Sequence, residues 1–365
     1  MSARVLVAMS GGVDSSVAAA ILRERGYDVV GVAMRLAPEA PPPAAARRRG
    51  TCCSYEDFED ARRVAERMDF PFYVIDLREE FAASVIAPFV GEYLSGRTPN
   101  PCLMCNRDIK FDRLWQRADA LGADYVATGH YARIARGADG SFHLLKALDT
   151  RKDQSYFLFT LGQPQLSRTL FPLGAMSKDQ VRARARELGL ANADKPESQE
   201  ICFVTDGDYA SFVAARSRPE QIRAGSVVDS AGRHLAQHQG IHRFTVGQRR
   251  GLGVAGGEPL YVRRISPETG QVTVGPREAL GASGLRAARV SLVDPAIRGR
   301  EALEVEVKIR YRHPAVPAVL KMVAADRAEV SFARENPAVT PGQACVFYRG
   351  DEVLGGGLIE GPLEG

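Results

Sequence analysis

Residues 4–9 read RVLVAM, and the chain then runs through SGGVDSS into a helix-like segment. The apolar run predicts a buried strand, and Gly11 and Gly12 let the backbone turn so that successive N–H groups point at an anion at the helix N-terminus. Asp14 would repel a bare phosphate, so it suits this place only with Mg²⁺ between the two. The hydroxyl donors around the turn are Ser10, Ser15 and Ser16. We therefore predict a phosphate-binding loop rather than a plain strand–turn–helix connection. It lacks the Gly-Lys-Ser/Thr of a Walker loop and the GxGxxG of a dinucleotide site.

Strand-like and helix-like segments alternate over the first 200 residues. VAAAILRERGY predicts a helix that ends near Gly26, and DVVGVAMRL and FYVIDL predict two more strands. EFAASVIAPFVGEYL and FDRLWQRADALG predict helices, and YVATGHYARI predicts one strand. Ser177 and Gln180 form a capping box that opens the helix KDQVRARARELGL. This alternation is typical of a parallel sheet with helices on both faces.

The pattern changes after about residue 205 to short runs separated by turn signals. LYVRRISPETGQVTVG and ACVFYRGDEVLGGGLIEG predict hairpins, and LEVEVKIRY alternates with the period of a half-buried strand. We predict an α/β fold in three parts: a doubly wound parallel-sheet domain over residues 1–205, a small mixed connector domain over 206–278, and a C-terminal β-barrel over 279–365.

Composition restricts the class of protein. With 45% hydrophobic and 25% charged residues, the 365-residue chain matches a folded globular protein and not a disordered one. Its first residues, MSARVLVAMSGG, are too short for a signal-peptide core, and no apolar run is long enough to span a bilayer. We expect a cytoplasmic protein without a membrane partner, and a monomer as the simplest state. The formal charge of +4 permits an anionic partner without requiring one.

The six cysteines suggest chemistry, because thiols in the cytosol stay reduced and do not form a disulfide framework. PNPCLMCN places Cys102 and Cys105 three positions apart. A structural zinc site needs four ligands, and this is the only CxxC in the sequence, so the pattern does not favour zinc. A thioredoxin-type redox pair should open a helix after a strand, whereas prolines precede this pair, so that interpretation is not favoured either. Cys202 lies in the polar stretch ESQEICF, which favours a functional thiol, and Cys345 is predicted to be core.

Six motifs carry a resemblance to known proteins. SGGVDSS is similar to the pyrophosphatase loop of the ATP-pyrophosphatase (PP-loop) superfamily, which has an adenine-nucleotide alpha hydrolase-like fold and splits ATP into AMP and pyrophosphate. Together with TPNPCLMCN, ATGHYAR, KDQSYFL, ESQEICF and FTVGQRRGLG, in this order and spacing, it makes the whole chain resemble the bacterial tRNA-specific 2-thiouridylases. That family replaces the 2-oxygen of the wobble uridine in certain tRNAs by sulfur.

The resemblance implies domain roles, cofactors, partners and site residues. Residues 1–205 would be the ATP-pyrophosphatase catalytic domain, and the β-barrel over 279–365 would bind tRNA. The substrate would be tRNA, and the reaction would require ATP and Mg²⁺. The sulfur would come from a sulfur-relay protein, which is a cysteine desulfurase or a carrier. Cys105 would be the catalytic nucleophile and Cys202 would carry a persulfide. Mg²⁺ would be held through Asp14 and ATP. The residues implied to hold ATP are Ala8, Met9, Ser10, Gly11, Gly12, Val13, Asp14, Ser15, Met34 and Gly129. Those implied to contact tRNA are Asn100, Pro101, Cys102, His130, Lys152, Asp153, Gln154, Arg310, Tyr311 and Gln343.

The sequence leaves the route of sulfur open. In one route the Cys202 persulfide delivers sulfur to the adenylated uridine and Cys105 then forms a disulfide with Cys202. Many family members carry aspartate where this chain has Cys102, so a second route is a four-iron four-sulfur cluster held by Cys102, Cys105 and Cys202. Nothing assigns a role to Cys52, Cys53 or the loop 37–50.

Two other functions compete with thiolation. A different adenylating ATPase, an amidotransferase or ligase delivering ammonia, would not need the Cys105 and Cys202 pair. A nonenzymatic RNA-binding adaptor would not need SGGVDSS with Asp14.

Overall fold

The computed structural model describes residues 2–36, 55–196, 201–204, 207–254 and 257–363, without the side chains of 335–337. Cysteines 52 and 53, the loop 37–50 and the ESQE of the Cys202 motif lie outside the described residues. The chain forms two compact units. The first comprises Met1–Val85, Cys102–Gly207 and Asp351–Val353, and the second comprises Ile86–Pro101, Asp208–Gly350 and Leu354–Gly365.

The first unit is built on a parallel sheet, as the alternating pattern predicts. Its strands are β1 (Arg4–Ala8), β2 (Asp28–Arg35), β3 (Phe72–Asp76), β4 (Tyr125–Thr128), β5 (Ala132–Arg136), β6 (Phe142–Lys146) and β7 (Thr169–Leu170). Five of them form one sheet in the order β3-β2-β1-β4-β7, and every pairing in it is parallel. The apolar runs of β1 and β2 are buried because helices cover the sheet. Strand β3 lies at the edge, which leaves Tyr73 and Val74 exposed.

The helices follow the predicted segments. They are α1 (Val13–Glu24), α2 (Tyr55–Arg67), α3 (Arg78–Phe81), α4 (Ala87–Leu94), α5 (Pro101–Met104), α6 (Asp112–Ala120), α7 (Gln163–Leu166), α8 (Lys178–Glu187) and α9 (Tyr209–Ala214), with π-helical turns at Ala82–Ile86 and Cys105–Phe111 and 3₁₀ turns at Ser155–Phe157, Pro219–Gln221, Ile241–Arg243, Arg277–Leu280 and Pro295–Ile297. Helix α1 is followed by Gly26 in the left-handed region, and Ser177 and Gln180 exchange both capping-box hydrogen bonds at α8. The end of α1 at Gly26 and the start of α8 at the capping box were both predicted from the sequence.

One predicted strand is divided in two. YVATGHYARI was expected to be a single strand, but β4 ends at Thr128 and β5 begins at Ala132 in another sheet, where it pairs with β6. The break includes Gly129, which lies so close to α1 that a Cβ on it would fall 2.7 Å from the Ser15 nitrogen. The prediction was wrong because the apolar pattern continues through a turn that tertiary contact imposes.

The second unit contains a small mixed domain and a barrel, which confirms the predicted fold class. The mixed domain contains α9 and a four-stranded sheet. Its strands are β8 (Gly225–Val228), β9 (His234–His238), β10 (Tyr261–Ser266) and β11 (Gln271–Gly275), and their order in the sheet is β10-β11-β8-β9. The barrel strands are β12 (Gly281–Leu292), β13 (Leu303–Lys308), β14 (Val316–Ala324), β15 (Arg327–Pro337), β16 (Ala344–Arg349) and β17 (Glu352–Pro362). Their order is β12-β15-β14-β13-β16-β17, and β17 pairs with β12 to close the ring.

The break between β4 and β5 also depends on a close approach of Gly174 to the start of β5, which a substitution can test. A Cβ on Gly174 would overlap the carbonyl oxygen of Ala132, the first residue of β5. Gly174→Ala should therefore lower the free energy of unfolding by about 1–3 kcal/mol through overpacking. Gly91→Ala is the control, because Gly91 is exposed in α4 with nothing near its Cβ position; it should be neutral or stabilising by up to ~1 kcal/mol. Equal midpoints for both variants in denaturant unfolding would contradict this assignment.

Candidate functional site

The site lies where the order of the parallel strands reverses. Strand β1 has β2 on one side and β4 on the other, so the loops after β1 and β4 leave the carboxyl edge next to each other. Ligands of doubly wound sheets bind in this crevice. The loop after β1 carries the predicted phosphate loop, and the loop after β4 carries Gly129 and His130. The sequence predicted both segments, and the sheet order brings them together.

The phosphate loop has the backbone of an anion site. Gly11 adopts φ +70°, and a Cβ there would overlap the carbonyl oxygen of Asp57 in α2. Ser15 Oγ accepts the Ser10 N–H at 3.1 Å and donates to the Gly12 carbonyl at 3.1 Å. Helix α1 begins at Val13, so its first N–H groups and its dipole face the end of the loop. The other predicted nucleotide residues with side chains in the core are Ala8, Met9, Val13 and Met34.

Asp14 has two partners that the sequence did not indicate. Lys178 Nζ lies 2.8 Å from both of its carboxylate oxygens, and the Tyr131 hydroxyl donates to it at 2.8 Å. The Lys178 side chain is only 8% exposed, whereas the Asp14 side chain is 30% exposed and so can still be reached from the crevice. Lys178 directly follows the N-cap serine of α8, and that cap was the one signal near it. The buried lysine thus offsets the negative charge of Asp14 beside the loop.

A second group of polar residues lies behind the loop, and the sequence did not indicate these either. The Asn192 amide donates to the Gly11 carbonyl at 3.0 Å and to Ser16 Oγ at 2.9 Å. Lys195 Nζ donates to Asp57 and Asp60 of α2, at 2.6 Å each. Burial lowers the Lys195 pKa, but the hydrogen bonds and charges of the two carboxylates outweigh it and raise the pKa. Lys195 is therefore a cation.

His130 is an uncharged residue of the crevice wall. Its Nδ1 lies 2.7 Å from Thr128 Oγ1, and its ring stacks on Phe111 and meets Phe171 edge-on. Burial first, and then the positive charge of Lys110, hold the His130 pKa well below its ordinary value. His130 is therefore neutral at physiological pH and acts as a hydrogen-bonding or packing group, not as a cation.

The cysteines differ in environment. Cys105 is buried at the start of the π-helical turn Cys105–Phe111, Cys102 is exposed in α5, and Cys202 is half-buried. All three belong to the first unit. The residue after Cys202, Phe203, packs edge-to-face on Phe81 at 5.6 Å. π-Helical turns occur often at functional sites, because the extra residue re-aims the side chains around it. Cys345 is fully buried, and burial raises its pKa to about 12, as suits the predicted core thiol.

Metal ligands are not assembled in the described residues. Over 2–36, 55–196, 201–204, 207–254 and 257–363, no group of three or more His, Cys, Asp or Glu is arranged to hold a metal ion. Within these residues the three cysteines are thus not gathered as ligands of a single metal ion. Asp14 suits Mg²⁺ better, since that ion usually takes one or two carboxylates and completes its shell with substrate phosphates and water.

Several residues implied to contact tRNA use their polar atoms within the protein. Asp153 is buried and accepts hydrogen bonds from the Ala147 N–H and from Ser155, and Gln154 accepts from the Tyr131 N–H. Of the others, Asn100, Lys152 and Tyr311 are half-buried and Cys102 is exposed. Pro101 is buried at the start of α5.

In the second unit, two more of these residues hold backbone segments. Arg310 donates to the carbonyls of Val246 and Ala338 at 3.1 and 3.0 Å and also to Thr340. The Gln343 amide donates to the carbonyls of Thr98 and Pro99 at 2.9 and 3.4 Å. Both side chains thus support chain segments next to predicted site residues.

No helix in the described part of the chain is both long and apolar enough to cross a membrane.

Comparison with known proteins identifies the family. Three family models match: the tRNA methyl transferase HUP domain over residues 3–206, the tRNA methyl transferase PRC-barrel domain over 211–276, and the aminomethyltransferase beta-barrel domain over 282–359. A relative from Geotalea uraniireducens named tRNA-specific 2-thiouridylase MnmA is 53% identical over 98% of this chain and 95% of its own length. A relative of the same name from Geobacter metallireducens is also 53% identical, over 99% of this chain and 97% of its own.

Solved structures are less similar. A 4-thiouridine synthetase in complex with RNA and ATP has a TM-score of 0.36 and 17% identity, and the match covers 59% of this chain and 50% of that one. The family assignment comes instead from the full-length sequence relatives and from the model that matches the first 206 residues. On those matches, this chain belongs to the tRNA-specific 2-thiouridylase family.

Proposed function

We propose that this protein is an ATP-dependent tRNA-uridine 2-sulfurtransferase, which adenylates the 2-oxygen of the wobble uridine and replaces it with sulfur. The observation that carries the proposal is the phosphate loop at the strand-order reversal, in the same unit as Cys105 and Cys202. An oxygen on a pyrimidine ring leaves poorly, and attachment to AMP makes it a good leaving group. The relatives' name, tRNA-specific 2-thiouridylase, supports the choice of tRNA as substrate.

The ATP half of the reaction would use the loop and Asp14. The N–H groups at the start of α1 would bind the pyrophosphate part of ATP, and the buried cation Lys178 would balance the charge that Asp14 adds. Mg²⁺, held by Asp14 and ATP, would neutralise phosphate charge as pyrophosphate leaves. Tyr131 would keep the Asp14 carboxylate oriented through its 2.8 Å hydrogen bond.

The sulfur half would use two thiols. A donor protein, a desulfurase or carrier, would leave a persulfide on Cys202, and its terminal sulfur would attack C2 of the adenylated uridine as AMP leaves. The Cys105 thiolate would then attack Cys202 Sγ, breaking the bond to the transferred sulfur, which stays on the base. The product is a Cys105–Cys202 disulfide, and a dithiol reductant would return two electrons to restore both thiols. No step in this route passes through a cluster.

The tRNA itself would be bound largely through its phosphates. Residues 211–276 contain nine arginines, no lysine and four acidic residues, so this segment alone exceeds the net charge of the whole chain. Arg249 and Arg250 are exposed within it. We propose residues 206–278 and the barrel over 279–365 as the tRNA-binding parts of a cytoplasmic monomer, with 1–205 as the catalytic domain.

The cysteines separate thiolation from ammonia chemistry. Cys202→Ala and Cys105→Ala should each abolish 2-thiouridine while ATP-dependent pyrophosphate release on tRNA still occurs, because neither thiol takes part in adenylation. Cys345→Ala is the control, since that thiol is buried and, with a pKa of about 12, unreactive. The measurement is mass spectrometry of digested nucleosides alongside pyrophosphate release, with a persulfide donor present. Normal thiolation by either catalytic-cysteine variant would exclude the mechanism.

Asp14 separates an enzyme from an RNA-binding adaptor. Asp14→Asn keeps the size and a hydrogen-bond acceptor but loses the charge that Mg²⁺ needs, so AMP formation should fall by about a hundredfold or more. Asp139→Asn removes a charge from an exposed turn of the same unit, where Asp139 bonds only to nearby Ser141, and should keep full activity. If the wild-type protein formed no AMP with ATP, tRNA, Mg²⁺ and a persulfide donor, the adaptor function would be preferred.

The exposed arginine pair tests the RNA-binding surface. Replacing Arg249 and Arg250 by alanine should weaken tRNA binding and reduce the slope of log K against log salt concentration by about 1–2, through lost phosphate contacts. Arg78→Ala, in an ion pair with Asp76 that lies outside the proposed tRNA-binding parts, is a charge-matched comparison for one arginine and should leave the slope unchanged. An unchanged salt slope in the double variant would mean that Arg249 and Arg250 do not contact RNA phosphates.

A further inference from the structure

The phosphate loop is held from behind by one short stretch of chain. The Asn192 amide uses one hydrogen on the Gly11 carbonyl and the other on Ser16 Oγ, at 3.0 and 2.9 Å. Ser16 Oγ in turn donates to the Gly12 carbonyl at 3.0 Å. Asn192 is only 4% exposed, so these bonds form where water does not compete. Two consecutive carbonyls of the loop are thus bonded, directly or through Ser16, to the same amide.

The direction of these carbonyls determines where the loop can donate. In a trans peptide unit the C=O and N–H point in opposite directions. Holding the Gly11 carbonyl toward Asn192 therefore aims the Gly12 N–H away from it, and holding the Gly12 carbonyl does the same for the Val13 N–H. Gly11 at φ +70° has no Cβ to restrict rotation, so the backbone alone would not keep this orientation.

Lys195 adds a charge to the same support. Its ammonium group lies 3.4 Å from the Gly11 carbonyl oxygen and 2.6 Å from the carboxylates of Asp57 and Asp60. Asp57 is buried directly against Gly11, where an unbalanced carboxylate would repel a phosphate. Lys195 thus neutralises the acidic side of α2 next to the loop.

We propose that Asn192 and Lys195 are positioning residues that orient the N–H donors of Gly12 and Val13 toward the pyrophosphate part of ATP. The proposal rests on the proposed function, since it assumes that the loop binds ATP. Neither side chain needs to touch the nucleotide. Their effect should therefore be confined to ligands that carry the β and γ phosphates, and should not extend to the nucleoside.

The experiment compares three ligands by calorimetric titration of the full chain: Mg·ATP, pyrophosphate with Mg²⁺, and AMP. Asn192→Ala should weaken ATP and pyrophosphate about fivefold to tenfold, through the misdirected hydrogen bonds, and leave AMP within about twofold. Lys195→Gln should behave similarly, and Lys195→Arg, which keeps the charge and donors, should recover most of the affinity. Arg186→Gln is the matched control. It breaks an exposed ion pair between α8 and Asp194, which lies between Asn192 and Lys195 in the chain but does not contact the phosphate loop through this pair.

The outcomes distinguish this proposal from the proposed function. If Asn192→Ala binds ATP and pyrophosphate like the wild type, the positioning role is wrong while ATP use stands. If it loses ATP and AMP equally, Asn192 is merely structural and the proposal is also wrong. If the wild type binds neither ATP nor pyrophosphate, the proposed function fails and this role fails with it. Thermal unfolding of each variant establishes that the titrated protein is folded.

Discussion

The site depends on two places where backbone approaches backbone without a side chain between. Gly11 lies against the carbonyl of Asp57, and Gly129 lies within 2.7 Å of the Ser15 nitrogen, measured from the Cβ position that glycine leaves empty. The Gly129 approach brings the loop after β4 to the start of α1, and the Gly11 approach packs the loop after β1 against α2. The helix N-terminus, Asp14 and His130 can share one crevice only because both positions are glycine. Any larger residue would push the loop or α2 away from the helix end.

Charge around this crevice is balanced in pairs. Lys178 lies on Asp14 and Lys195 lies on Asp57 and Asp60, so each carboxylate near the phosphate loop has an ammonium group at hydrogen-bond distance. Carboxylates alone would repel the phosphates of ATP, and buried lysines alone would be costly to desolvate. The pairing leaves the backbone N–H groups of the helix end as the attractive element. Asp14 is the more exposed member of its pair, so its carboxylate is the one that solvent reaches.

Some residues matched to RNA contacts have structural partners as well. Gln343 holds Thr98 and Pro99, which precede the predicted contact residues Asn100 and Pro101. Arg310 holds Val246, which lies shortly before the exposed pair Arg249 and Arg250. Their substitution would therefore disturb neighbouring segments whether or not they touch RNA. Asp153 is similar, because its buried carboxylate fixes the turn that carries Lys152 and Gln154.

The sequence by itself determined the local elements, the fold class and the motifs. Apolar runs and alternation predicted the parallel sheet and the barrel strands, turn residues and the Ser177 capping box predicted ends, and SGGVDSS with the cysteine motifs indicated the chemistry. These features are readable because each depends on neighbours in the chain. Only the tertiary structure decided the turn at Gly129, the partners of Asp14, and the support of Gly11 by Asn192 and Lys195. Those contacts join residues more than a hundred positions apart, and nothing in the local pattern records which distant side chain will neutralise a buried charge or bond a turned carbonyl.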